Sequence, residues 1–309
     1  MIYTVTLNPC LDYIVSVPEF CSGRTNRAKF DRLIPGGKGI NVSYALNILK
    51  EPNLALGFIA GFTGEELCRL MDRDGVRNNF ITLEDKNSYS RIDVQMIHGL
   101  ESSINGVGPK VTQNDLDKLT EQLQALEDGD TLVLSGAIPR GTRDTVYADL
   151  LQTVQHKDLN IVVDAKGPLL LNTLKYHPFL IKPNRQEIVD IFYADPNSID
   201  DIIRYAKGLQ SMGARNVLVS LSAEGAILVT ETGEVYRHSA MRGEVVNTVS
   251  CGDSMVAGFL TGYARSNNDI IEAFLYSIAA ASANAFNEGR GTHDEVCALL
   301  AQLQSEWRH

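Results

Sequence analysis

One carboxylate in this 309-residue chain stands where a phosphate could be both held and attacked. Asp253 follows Ser250-Cys251-Gly252 and precedes the apolar run Met255-Val256-Ala257-Gly258-Phe259-Leu260. A glycine turn that opens an apolar helix leaves the first backbone N–H groups unpaired at the positive end of the helix macrodipole, so an anion is stabilised there without a cationic side chain. The amides of Cys251, Gly252 and Asp253 are therefore candidates to cradle a transferring phosphoryl group, with Ser250 completing the turn and Asp253 as the base beside it. The same field predicts an ionised Asp253 and a Cys251 thiol of lowered pKa. Taken alone, Gly-Asp-Ser is more often an ordinary helix cap than a site.

A second glycine loop, Pro35-Gly36-Gly37-Lys38-Gly39-Ile40-Asn41, runs into a segment with apolar residues at 42, 45, 46 and 49, one face of a helix. Gly36 and Gly37 let the backbone turn tightly against a ligand, and Lys38 adds a mobile positive charge suited to phosphate. Gly-Lys is followed by Gly-Ile rather than by Ser or Thr, so this is not a Walker A loop.

The elements that must position these loops alternate along the chain. Apolar runs at 2–7, 54–60, 131–135, 160–164, 178–181, 216–220 and 225–229 read as strands, and helical patterns between most of them predict a largely parallel sheet covered on both faces. In such a sheet ligands lie beyond the carboxyl ends of the strands, where Asp12, Ser135-Gly136, Asp164 and Lys182-Pro183-Asn184 all fall. Residues 12–34 and 88–107 break the alternation with strand-like spacing and no intervening helix. The whole chain, 1–309, reads as one α/β domain with these two segments as an appendage.

A net charge of −10 argues against a nucleic-acid partner. Five cysteines, at 10, 21, 68, 251 and 297, are odd in number and widely spread, which favours neither a disulfide framework nor a zinc site. With no long apolar run and no basic leader, the expectation is a cytoplasmic protein without a membrane partner.

Taken together, the ordered motifs resemble the ribokinase-like PfkB family of sugar kinases. The first glycine loop matches one family signature, and Asn247 through Ser254 matches another, usually Asn-Thr-x-Gly-Ala-Gly-Asp. Between them, Lys182-Pro183-Asn184-Arg185-Gln186-Glu187 matches the family's Asn-x-x-Glu element. Thr4 to Tyr13, Asn26-Arg27, Gly61 to Glu65, Arg91-Ile92 and Ile104 to Pro109 look closest to the branch that acts on fructose 1-phosphate. The resemblance runs from residue 2 to about 300. It implies a three-layer sandwich with a small β lid, formed by 12–34 and 88–107, that closes over the sugar and pairs two subunits into a homodimer. Two departures stand out. Ser250-Cys251 replaces Gly-Ala, which would strain Ser250 by about 1 kcal/mol if the position needs φ above zero. Leu221-Ser222-Ala223-Glu224-Gly225-Ala226 replaces a more glycine-rich turn on the nucleotide side.

The expected activity is ATP- and Mg²⁺-dependent phosphorylation of a ketohexose monophosphate, D-fructose 1-phosphate at its 6-hydroxyl, with tagatose 6-phosphate and fructose 6-phosphate as alternative acceptors. A catalytically weak sugar-phosphate sensor is the alternative from another class, and intact Asp253, Asn184 and Glu187 speak against it. Asp12 and Asn41 can hydrogen-bond sugar hydroxyls, with Gly36, Gly37 and Ser135 completing the acceptor set. Lys38, Arg27 and Arg91 are the candidate clamps for a phosphate already on the sugar, Arg91 foremost because its planar fork suits bidentate binding. Lys182, Asn184, Glu187, Ser220, Gly225 and Asn284 are expected around the nucleotide. Asn184 and Glu187, three residues apart on one helical face, would steer a hydrated Mg²⁺ through water.

Overall fold

Short, mainly apolar runs rich in β-branched residues and leucine demand burial on both faces, and they build a large sheet with helices above and below. The computed structural model describes residues 1–85, 87–98 and 101–307. The chain begins β1 (Ile2–Thr6), β2 (Cys10–Ser16), β3 (Phe30–Gly36), α1 (Lys38–Ile48), β4 (Asn53–Ile59), α2 (Gly61–Arg73), β5 (Ile81–Thr82), β6 (Arg91–Ile97) and β7 (Glu101–Asn105). It continues with α3 (Gln113–Gln124), β8 (Thr131–Ser135), α4 (Val146–Val154), β9 (Asn160–Asp164), α5 (Gly167–Leu171), β10 (Leu180–Ile181), α6 (Arg185–Phe192) and α7 (Ile199–Ser211). Last come β11 (Asn216–Ser220), β12 (Ala226–Val229), β13 (Val235–His238), α8 (Cys251–Arg265), α9 (Ile270–Ala285) and α10 (His293–Trp307).

The large sheet has the order β13-β12-β11-β10-β9-β8-β1-β4-β5. It is parallel from β5 to β11 and antiparallel at β12 and β13. Side chains alternate between two cores: Leu132 and Leu134 of β8 enter one and Val133 the other, as do Ile161 and Val163 against Val162 in β9. The expected strands are found within one or two residues of their limits. The shortfall is 178–181, reduced to Leu180–Ile181, where Pro178 has no N–H for the ladder and His177 turns through φ 50°.

Strand order reverses at β1, which has β4 on one side and β8 on the other, and the carboxyl ends of β1, β8 and β9 open a crevice there. Over it lies a second sheet, β3-β2-β6-β7, drawn from the two segments expected to form a lid; residues 99–100 of the second segment lie outside the described residues. Phe30, Leu33, Ile97 and Ile104 of this sheet are exposed. No helix among the described residues is long and apolar enough to cross a membrane.

Candidate active site

Helix α8 opens as its glycine turn suggests. Ser250 sits at its start in the left-handed region, φ 63°, and the first intrahelical bond runs from the Ser254 N–H to the Ser250 carbonyl at 2.9 Å. The amides of Cys251, Gly252 and Asp253 therefore have no acceptor within the helix and face the crevice end of the sheet. Holding a residue with a β-carbon at this φ costs on the order of 1 kcal/mol or more, so the Ser250 departure carries the strain its position implied. Asn284, buried in α9, holds the turn from beneath by donating to the Val249 carbonyl at 2.8 Å and lying 3.5 Å from the Cys251 sulfur. Its amide nitrogen supports the loop that precedes the helix. From the front, the Lys182 ammonium approaches so closely that a β-carbon added to Gly252 would stand 3.0 Å from it.

Asp253 itself is 6 % exposed, and its Oδ2 accepts from Asn41 Nδ2 at 3.0 Å, which brings the two glycine loops together across the crevice. Burial and the charge of Asp164 push its carboxyl up to about 7, against the pull of Lys38, Lys182 and Asn41. The helix-start field does not keep it ionised as expected, because desolvation outweighs that field. Cys251 departs from expectation for the same reason: burial raises its thiol, and neighbouring Asp253 raises it further, against a lowering hydrogen bond from Asn284.

Between the two loops, Asp164 at the end of β9 receives Lys38 Nζ at 2.7 Å on Oδ1 and faces Lys182 Nζ at 3.4 Å on Oδ2. Burial would raise its carboxyl, but the Lys182 and Lys38 ammoniums together hold it below the usual carboxylate range. Lys38, expected to be free for a sugar phosphate, is thus tied inward, with Glu187 Oε1 a further 3.9 Å contact. The Asp164 and Glu187 charges raise its pKa despite burial.

Asn184 and Glu187 form a reciprocal cap on α6. The Glu187 N–H donates to Asn184 Oδ1 at 2.8 Å, and the Asn184 N–H to Glu187 Oε2 at 3.0 Å. Glu187 is 3 % exposed, and its Oε1 has no hydrogen-bond partner among the described residues. The Ser135 hydroxyl at the end of β8 is buried and likewise unpartnered. Ser220 ends β11 and bridges to Asn184, its N–H donating to the Pro183 carbonyl at 3.1 Å. Gly225, φ 92°, turns the chain into β12 under the His238 carbonyl, where a β-carbon would collide.

On the lid side Asp12 is buried in β2, with the Cys10 thiol donating to Oδ1 at 3.0 Å and Gln95 Nε2 to Oδ2 at 3.2 Å. Burial and the nearby Asp93 push its carboxyl up to about 6, although the Cys10 hydrogen bond lowers it. Gly36 is required here, because a β-carbon would stand 2.5 Å from Asp12 Oδ2. Arg91 comes beside this group, yet its fork is already engaged: Nε donates to the Asn8 carbonyl at 3.0 Å and Nη1 pairs with Asp93 at 3.0 Å. Arg27 lies exposed in the β2–β3 connection and is not brought into contact with the others among the described residues.

Two residues were given no role by the sequence reading. Asp164 was placed at the ligand end of its strand, without its lysine partners. Arg290, in the α9–α10 connection, donates Nη2 to Asn41 Oδ1 at 3.1 Å and stacks 3.8 Å above the Tyr44 ring. A lone cation between two glycines, Gly289-Arg290-Gly291, was the available signal.

Unpaired amides at a helix start, a buried carboxylate beside them and a second carboxylate under the small sheet are the arrangement that phosphoryl transfer to a hydroxyl asks for. Residues 5–296 match the pfkB family of carbohydrate kinases, and the chain belongs to that family of ATP-dependent sugar kinases. It is 38% identical over 304 residues to a 1-phosphofructokinase of Bacillus subtilis (strain 168), covering 98% of this chain and 99% of that one. It is 33% identical over 305 residues to a D-tagatose-1-phosphate kinase of Bacillus licheniformis, again covering 98% and 99%. The fold superposes on Escherichia coli phosphofructokinase-2 in complex with fructose-6-phosphate with a TM-score of 0.89 at 26% identity, over 98% of this chain and 99% of that one. The ribokinase-like α/β architecture is the one the motifs implied.

Proposed function

We propose that this kinase transfers the γ-phosphoryl group of ATP to the 6-hydroxyl of D-fructose 1-phosphate, giving fructose 1,6-bisphosphate. The observation that carries the mechanism is the Asn41–Asp253 hydrogen bond, which sets the acceptor loop against the base. Asp253 accepts the proton of the attacking hydroxyl, and the amides of Cys251, Gly252 and Asp253 hold the moving phosphoryl group. Asp12 and Asn41 orient the sugar; Lys182, with Lys38 tied to it through Asp164, sets positive charge against the donor phosphates. Mg²⁺ fits the chemistry of Glu187, whose unpartnered buried Oε1 suits water held by a hard cation, with Asn184 beside it. Such an ion supplies neutralisation of phosphate charge. Arg91 and Arg27 remain the proposed grips on the sugar phosphate, Arg91 after exchanging its Asp93 contact for the ligand. Chain 1–309 acts as one kinase unit, and the exposed apolar side chains of the lid support a homodimer through it; sedimentation at micromolar protein showing only monomer would remove that interface.

ADP release, coupled to a reporter enzyme, is the test of acceptor. Fructose 1-phosphate is expected to give the highest kcat/KM among fructose 1-phosphate, fructose 6-phosphate, tagatose 1-phosphate, tagatose 6-phosphate and free fructose. Tagatose 1-phosphate is the second reading, favoured over the 6-phosphate by the B. licheniformis relative. Faster turnover of free fructose than of every phosphorylated sugar sinks the assignment, since a phosphate grip left empty has to be a penalty.

The pH profile follows from two raised carboxyls. Both must be ionised to work, so activity is lost as pH falls through their folded values. After allowance for titration of the sugar phosphate itself, log kcat/KM is expected to rise with slope one between the Asp12 value of about 6 and the Asp253 value of about 7, and more steeply below. A profile that stays flat down to pH 5 removes Asp253 as the base.

A further inference from the structure

We propose that Arg290 is a positioning residue for the base: it locks the Asn41 side-chain amide so that its N–H donors, and not its oxygen, face Asp253. An Asn amide offers two faces of opposite character, and rotating it by half a turn exchanges them. The guanidinium has donors only, so the Asn41 oxygen must turn toward Arg290 Nη2, 3.1 Å away, and the amide nitrogen is left pointing at Asp253 Oδ2, 3.0 Å away. The rotated amide would set a carbonyl against a carboxylate. With one N–H bound to Asp253, the second remains for an acceptor hydroxyl.

Arg290 has no ion-pair partner to account for its place among the described residues. It is half-buried, and desolvation pulls its pKa below the usual arginine value against the charges of Tyr44, Asp12, Asp74 and Asp253. No carboxylate among the described residues pairs with it directly. Its contacts are the Asn41 oxygen, the Pro35 carbonyl at 3.5 Å and the Tyr44 ring face at 3.8 Å from the guanidinium carbon. A half-buried cation held by neutral oxygens and a ring, with no directly paired carboxylate, points to a role in orienting those oxygens. The Pro35 contact adds a second effect, because Pro35 belongs to β3 and stands beside the glycine loop. One side chain thereby ties lid strand, acceptor helix and base into a single geometry.

This proposal rests on Asp253 as the base, and the experiment separates the two. Kinetics of Arg290→Met, Asn41→Ala and the double variant are measured with fructose 1-phosphate and ATP, beside Arg290→Lys. Loss of the lock misplaces a group next to the reacting atoms, so kcat of Arg290→Met is expected to fall about tenfold to a hundredfold with KM for ATP nearly unchanged. The double variant is expected to be no slower than the slower single variant, because both changes remove one function. Arg290→Lys keeps a donor for the Asn41 oxygen and is expected to recover most of the loss, and it carries the test if the methionine variant does not fold. Losses that multiply in the double variant, or a lysine variant no better than methionine, overturn the proposal while leaving Asp253 intact. Failure of the base itself shows separately, in Asp253→Asn retaining turnover.

Discussion

Replacing Asp253 by Asn is expected to give a folded, ATP-binding protein whose kcat has fallen by roughly 10²–10⁴, the usual size of a lost general base. That is about 3–5 kcal/mol of barrier. The physical point is that activity and stability should move in opposite directions. Burial and Asp164 make the ionised Asp253 costly at neutral pH, and its one side-chain hydrogen-bond partner among the described residues is Asn41. A neutral amide in the same volume removes the repulsion, so thermal stability should hold or rise. Loss of an ordinary helix cap would do the reverse, costing about 1 kcal/mol of stability and leaving turnover alone. Calorimetry beside steady-state kinetics distinguishes the two, and a variant that turns over near the parent rate removes the mechanism proposed here.

The second large effect is expected at Asp164, and it is a stability effect first. One buried carboxylate there balances Lys38 and Lys182 at 2.7 and 3.4 Å. Asp164→Asn leaves two ammonium groups facing each other without an anion between them, and breaking a buried pair in this way costs about 3–5 kcal/mol. In a chain of this size that corresponds to a fall in Tm of roughly 10 °C. Adding Lys38→Met to the variant should return part of the loss by removing one of the orphaned charges. A Tm within a degree of the parent would mean that Glu187, already 3.9 Å from Lys38, takes over as counter-charge.

What could be read beforehand was what local pattern controls. Short apolar runs marked the strands, glycines before apolar runs marked both loops, and the two stretches lacking helices became the second sheet. Burial and pairing at a distance were hidden. The helix-start field at Asp253 and Cys251 is a local property and was legible, whereas the desolvation that overrides it comes from segments far along the chain. Lys38 looked free because its partner lies 126 residues away. Arg91 looked open although Asp93, two residues on in the same strand, shares its face, and the pair they form at 3.0 Å was legible from the strand period. Glu187 showed its spacing to Asn184 but not that one oxygen would be spent on capping and the other left without a hydrogen bond, 3.9 Å from Lys38.

The closing contacts of the site also fix when it can first exist. Asn41 waits for a carboxylate 212 positions downstream and for a guanidinium 249 positions downstream. A chain leaving the ribosome therefore carries its glycine loop, lid strands and Asp164 long before it owns either a phosphoryl cradle or a base. On the mechanism proposed above, unfinished chains, and those broken anywhere before α8, lack both cradle and base, so phosphoryl transfer is expected only once nearly the whole polypeptide has been made.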